Sequence, residues 1–191
     1  MSFLNEPLLL VIITILLLLV GCTERRMITN YEKHAEDIWE LKDFYSSTFP
    51  DSLGFYIVFY TDSTFTIAIK PYNQYVKHSY PFDNGSFYLQ TNVKYEDIAE
   101  VMNIYDIKKE QIDSLYQSLK KVNCCSIDSR PFYFEENSLR IGYYITNPFQ
   151  LNGYNYVLLT KKTSDETIDE FSFLHLTKIN DSTIIEFTKW L

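Results

Sequence analysis

Glycine is scarce in this chain, with 5 residues in 191. Past Gly21 they stand singly at Gly54, Gly85, Gly142 and Gly153. No glycine-rich loop is therefore in place to bring backbone amides around a phosphate. The 3 histidines, His34, His78 and His175, are far apart and match neither H-x-H nor H-E-x-x-H. That excludes the common zinc spacings, and neither a metal nor a cofactor is expected. His175 alternates with Phe171 and Phe173, so a satisfied, partly buried histidine is expected there. Cysteine is limited to Cys22, Cys124 and Cys125. Adjacent Cα atoms lie about 3.8 Å apart, short of an ordinary disulfide span. Cys124 and Cys125 therefore read as packing residues pointing to opposite faces of a strand. Basic residues number 17 against 25 acidic ones, a formal charge of −8. Such a chain is repelled by nucleic acid and by anionic lipid, and no basic stripe stands out to override this. A basic protein partner fits the charge; nucleic acid does not.

Apolar side chains make up 46% and aromatics 17%, mostly Tyr and Phe, a composition far from that of a disordered chain. Leu8 to Val20 (LLLVIITILLLLV) is an uninterrupted apolar run. As a helix it spans about 20 Å, whereas a bilayer core needs about 30 Å. The run suits the apolar region of a signal peptide better than a permanent span. It ends in Leu19-Val20-Gly21-Cys22, which resembles the lipobox of bacterial lipoproteins. The resemblance covers the first 22 residues. It implies that the Cys22 thiol takes a diacylglyceryl group and that a dedicated peptidase cuts before it, with small residues giving access to the backbone. The leading MSFLNEP departs from the usual pattern, since it has no Lys or Arg and carries Glu6. Left uncleaved, Arg25 and Arg26 would draw the chain to the cytoplasmic side. Removal of residues 1–21 takes away only Glu6 among the charges and leaves −7. Thr23 stands where an Asp would resemble an inner-membrane retention signal. The expectation is a lipid anchor in the cell envelope, at the outer membrane facing the periplasm.

The organisation expected is a signal peptide over 1–21, a short tether over 22–29 and one globular domain over 30–191. Thr29-Asn30-Tyr31-Glu32 fits a capping box, and Tyr31, His34, Ile38, Leu41 and Tyr45 recur at helical spacing to about 48. The opposite face carries Glu32, Glu36, Glu40 and Asp43. Like charges four apart do not stabilise a helix, so this ridge is either a solvated face or a docking surface for a basic partner. Gly54–Tyr60 and Thr64–Lys70 read as a hairpin turning at Thr61-Asp62-Ser63. A short strand at Ser86–Gln90 and a weaker helix at Tyr95–Tyr105 follow. The strongest helix is Lys108–Val122, with Ile112, Leu115, Tyr116, Leu119 and Val122 as its stripe. Asp106 is placed to cap it, and Asn123 to end it. Extended segments come next at Cys124–Asp128, Phe132–Glu135, Leu139–Thr146, Tyr154–Thr160, Phe171–Ile179 and Thr183–Trp190. The class is α+β: two or three helices on an antiparallel sheet of hairpins closed by a C-terminal meander.

No catalytic residue stands out. Ser118-Leu119-Lys120-Lys121 matches S-x-x-K, but mid-helix and without the accompanying motifs of penicillin-recognising enzymes. Glu135-Glu136 and Asp169-Glu170 are acid pairs of the kind solvated in loops. Asp51-Ser52-Leu53, Asp62-Ser63-Thr64, Asp113-Ser114-Leu115 and Asp181-Ser182-Thr183 resemble envelope O-glycosylation acceptors and read as turn and cap residues. The function expected is a membrane-anchored envelope lipoprotein with a non-catalytic binding or structural domain. An immunity-type protein that binds a basic periplasmic toxin is the first alternative, and an envelope hydrolase with an unfamiliar site the second.

Overall fold

The computed structural model describes residues 6–71, 88–129, 138–143, 152–170 and 175–189. The chain divides into two compact units, residues 1–35 and 36–191. Helix α1 (Glu6–Thr48) begins in the first unit and ends in the second. Its backbone is helical through the apolar run and through 22–29, where a short tether and a helix starting at about 30 were expected. Neither Pro nor Gly lies between Cys22 and Asn30 to stop a helix, and Gly21 alone costs only about 1 kcal/mol. The interruption falls instead at His34, whose φ of −125° and ψ of 20° leave the helical region.

The second unit holds the rest of α1 and an eight-stranded sheet in which every neighbouring pair is antiparallel, ordered β3-β2-β1-β4-β5-β6-β8-β7. Its strands are β1 (Leu53–Phe59), β2 (Phe65–Pro71), β3 (Tyr88–Val93), β4 (Cys124–Asp128), β5 (Leu139–Tyr143), β6 (Asn152–Leu158), β7 (His175–Asn180) and β8 (Thr183–Lys189). Between β3 and β4 run α2 (Tyr95–Ile104) and α3 (Lys109–Lys121), and α4 (Asp165–Glu170) precedes β7. The α+β expectation holds. The β1–β2 and β7–β8 hairpins, α2 and α3 fall where the pattern placed them. Helix α4 was not foreseen, and the terminal hairpin joins β6 through its second strand.

One face of the sheet carries the main core. Leu53, Phe55, Ile57 and Phe59 alternate along β1 and are buried; the same face continues through Ile67 on β2, Ile127 on β4, Ile141 on β5, Tyr156 on β6 and Ile185 on β8. Each such side chain contributes roughly 1.5–3 kcal/mol on burial. Ile38, Leu41 and Tyr45 of α1 and Ile112, Leu115 and Leu119 of α3 are buried at helical spacing. Tyr45, Phe49 and Phe55 form an aromatic cluster with ring centroids 4.9 to 6.3 Å apart, and Tyr116 of α3 meets Phe59 at 5.3 Å. The Tyr45 hydroxyl donates to Ser129 Oγ at 2.8 Å, and that oxygen also accepts the Phe55 N–H at 3.0 Å, so α1, β1 and the end of β4 share one buried polar junction.

Helix ends explain the turns between these layers. Asp106 closes α2 rather than capping α3: its φ is 54°, its N–H reaches Asn103 O, and the Ile107 N–H reaches Met102 O. This is a Schellman ending with Met102 and Ile107 buried beside it. Lys108 stands just before helix α3 as its cap residue: its N–H is taken by Gln111 Oε1 at 2.6 Å, while Gln111 Nε2 donates to Thr48 O at the end of α1. It stops as expected at Asn123, which is left-handed at φ 56°.

Candidate functional site

The four residues resembling a lipobox, Leu19, Val20, Gly21 and Cys22, lie within the helical backbone of α1. Past Cys22, no described helix is long and apolar enough to cross a membrane.

The acidic ridge is exposed at all four positions, Glu32, Glu36, Glu40 and Asp43. Glu32 precedes the break at His34; Glu36, Glu40 and Asp43 follow it on one face of the same helical segment. Lys121 reaches this segment from α3, 2.6 Å from Asp37 Oδ1 and 3.8 Å from Glu40 Oε2. Asp37 and then Glu40 pull the Lys121 ammonium pKa upward. The lysine of the S-x-x-K match is thus engaged with α1, and its serine sits mid-helix in α3. Lys42 lies over the Trp39 ring at 4.6 Å and donates to Leu159 O at 3.5 Å. Glu40 of the ridge is therefore paired with α3, while all four ridge carboxylates stay exposed.

Both Cys124 and Cys125 are free. The register with β5 shifts between Cys124 and Ser126, which makes Cys125 the extra residue of a bulge. Burial pushes the Cys125 thiol up to about 11, against a hydrogen bond with Ser126 that lowers it. Burial, and after it the neighbouring Cys125, also holds the Cys124 thiol well above its ordinary range. Thiols kept protonated at neutral pH make poor nucleophiles.

Among known protein families, characterised proteins and solved structures, none matches this chain.

His175 corrects its expectation. It is exposed at the edge of the sheet, and its ring meets Phe187 at 5.9 Å. His78, Glu135 and Glu136 lie outside the described residues, as does the segment expected at Phe132–Glu135. Asp169 and Glu170 belong to α4 rather than to a loop. Three of the four Asp-Ser motifs sit in turns or at strand starts, at 51–53, 62–64 and 181–183; the fourth, Asp113-Ser114-Leu115, is inside α3. No cluster of three metal-ligating side chains occurs among the described residues.

The feature missed in the sequence is a polar row on the second face of the sheet. Ser126, Gly142, Asn155 and Glu186 lie side by side across β4, β5, β6 and β8. Asn155 Nδ2 donates to Glu186 Oε2 at 3.1 Å, and Glu186 is only 3% exposed. One step along, Asp128 faces Arg140, with Oδ2 and Nη1 3.7 Å apart. The row borders a small apolar cluster of Val157, Leu159 and Ile184, against which Ile168 of α4 and Leu176 pack. The signal was present as alternating polar residues, which in a strand ordinarily mark a solvated face.

Proposed function

We propose that this chain is the precursor of a bacterial lipoprotein, lipid-modified at Cys22, whose second unit serves as a non-catalytic binding or structural module in the cell envelope. The observation that carries this reading is Leu19-Val20-Gly21-Cys22 at the end of the apolar run that begins at Leu8. A single acyl chain binds membranes marginally, whereas two or three, at about 0.8 kcal/mol per buried CH₂, hold a protein permanently. Thr23 favours the outer membrane by the absence of an Asp there. The raised thiol pKa values favour packing over catalysis for Cys124 and Cys125. The test is the mass of the N-terminal peptide of the membrane-extracted protein. It is expected to start at Cys22 and to carry acyl chains, and Cys22→Ala is expected to leave the full-length precursor. A peptide starting at unmodified Met1 would sink the reading.

The exposed carboxylates Glu36, Glu40 and Asp43 favour one alternative, an immunity-type protein for a basic toxin. A complex of that kind would lose much of its association rate in Glu36→Gln/Asp43→Asn and in high salt. Capture of peptidoglycan or porin-type partners alone would count against it.

A further inference from the structure

The chain is acidic as a whole, but its charges are not evenly placed around α1. At about 100° per residue, Arg25 and Arg26 fall within about 60° of position 22, one on each side, and Lys33 returns to that line three turns on. Arg25, Arg26, Thr29, Glu32 and Lys33 are all exposed, whereas Met27, Asn30 and Tyr31, on the other side of the helix, are buried. By the same spacing, position 22 falls on the helical line that Arg25 and Arg26 flank and Lys33 continues. Glu32 falls at one flank of the arc, and Glu24 falls on the side of the helix away from position 22.

We propose that this face is a contact surface for lipid phosphate, with Arg25, Arg26 and Lys33 as its cations. The proposal rests on the lipoprotein reading. Acyl chains on Cys22 would draw its face of the helix to the hydrocarbon boundary. Residues three and four positions on stand only about 4.5–6 Å further along the axis. That is headgroup depth, where a guanidinium can bind phosphate oxygens in bidentate fashion. The repulsion of the whole domain from anionic lipid is then offset where the chain meets the membrane. Because Arg25 and Arg26 cannot both leave the surface while Cys22 stays in it, the pair also sets which side of the helix faces the bilayer.

Arginine occurs at 25, 26, 130 and 140 only, so arginine-selective labelling reports on few sites. The lipidated protein, labelled with ¹³C at arginine Cζ, would be placed in vesicles of phosphatidylcholine and phosphatidylglycerol, and ¹³C–³¹P dipolar dephasing recorded. The expected result is clear dephasing in the wild type that falls to background in Arg25→Gln/Arg26→Gln. Spontaneous transfer of that variant to acceptor vesicles is expected to be about ten- to thirtyfold faster, from the usual worth of two basic residues at an anionic surface. Indistinguishable dephasing and transfer in wild type and variant, with Cys22 shown to be acylated, would overturn the proposal. An unacylated Cys22 would overturn the lipoprotein reading, and the lipid-phosphate surface with it.

Discussion

At Gly142 the absence of a side chain is required by the packing. A Cβ built there would lie 1.9 Å from Ser126 Oγ and 3.3 Å from Asn155 Oδ1. Gly142→Ala is expected to cost about 1–3 kcal/mol as overpacking, read from urea denaturation. Adding Ser126→Ala removes the oxygen in the way, so the double variant should recover part of that loss, a coupling that distant sites would not show. The thiols give a second residue-level expectation. In the unfolded chain Cys125 loses its proton near its ordinary pKa of 9.0, and in the fold only near about 11. The folded state therefore holds the extra proton between these values. Its contribution is whole below about pH 9 and is lost as pH rises toward about 11. At about 1.4 kcal/mol per unit this amounts to roughly 2–3 kcal/mol. Cys125→Ala should flatten the alkaline decline in stability by that amount. An unchanged slope would show that the thiol titrates alike in both states.

At the scale of elements, Asn123 and Tyr45 fix how the helices meet the sheet. Asn123 is left-handed, so Asn123→Ala is expected to cost about 1 kcal/mol and Asn123→Gly close to nothing, compared as denaturation midpoints. Tyr45→Phe removes the donor to Ser129 Oγ inside the core and should cost about 1–2 kcal/mol while far-UV circular dichroism stays unchanged. Elements were legible in the sequence where one periodicity dominated. The α3 stripe of Ile112, Leu115 and Leu119 and the alternation of Phe65, Ile67 and Ile69 on β2 are of this kind, and all six are buried. Helix α4 escaped notice because its six residues are four acids, Thr167 and Ile168, with no stripe to detect. The start of α1 was misplaced because a capping pattern at Thr29 has no force when a helix already runs into it from upstream. The polar row was illegible for another reason. Alternation tells which residues share a face, but not whether water reaches that face, and Asp128 and Glu186 are 7% and 3% exposed.

For the whole molecule, the two units carry different charge patterns. The outward arc of residues 25–33 is mainly basic, and the exposed α1 face that follows in the second unit is acidic at Glu36, Glu40 and Asp43. The role proposed for Cys22 was the most legible in the sequence, because acylation and cleavage read a short linear motif and require no fold. The arc around it became visible only once 22–33 was seen to be helical, since an extended tether would have scattered Arg25, Arg26 and Lys33 in different directions. Removing the anchor should therefore have two separable effects. Cys22→Ala is expected to abolish acylation, seen as loss of labelled palmitate, and to leave the midpoint of the second unit within about 0.5 kcal/mol, as for surface changes away from the core.

The pairing between β1 and β4 is brief: Tyr56 with Asp128, Ile57 with Ile127 and Val58 with Ser126. It is the seam between a three-strand ribbon, β3-β2-β1, and a five-strand one, β4-β5-β6-β8-β7. Neighbours within each ribbon are separated by between 2 and 24 residues of chain, whereas the seam must bring together residues about seventy positions apart, at a higher entropic cost of closure. Seen as a pathway, the molecule is then expected to assemble as two ribbons that find one another late. Ile127→Val should act mainly by speeding unfolding, and Ile67→Val, inside the first hairpin, mainly by slowing refolding, a division that the two arms of a chevron plot would display.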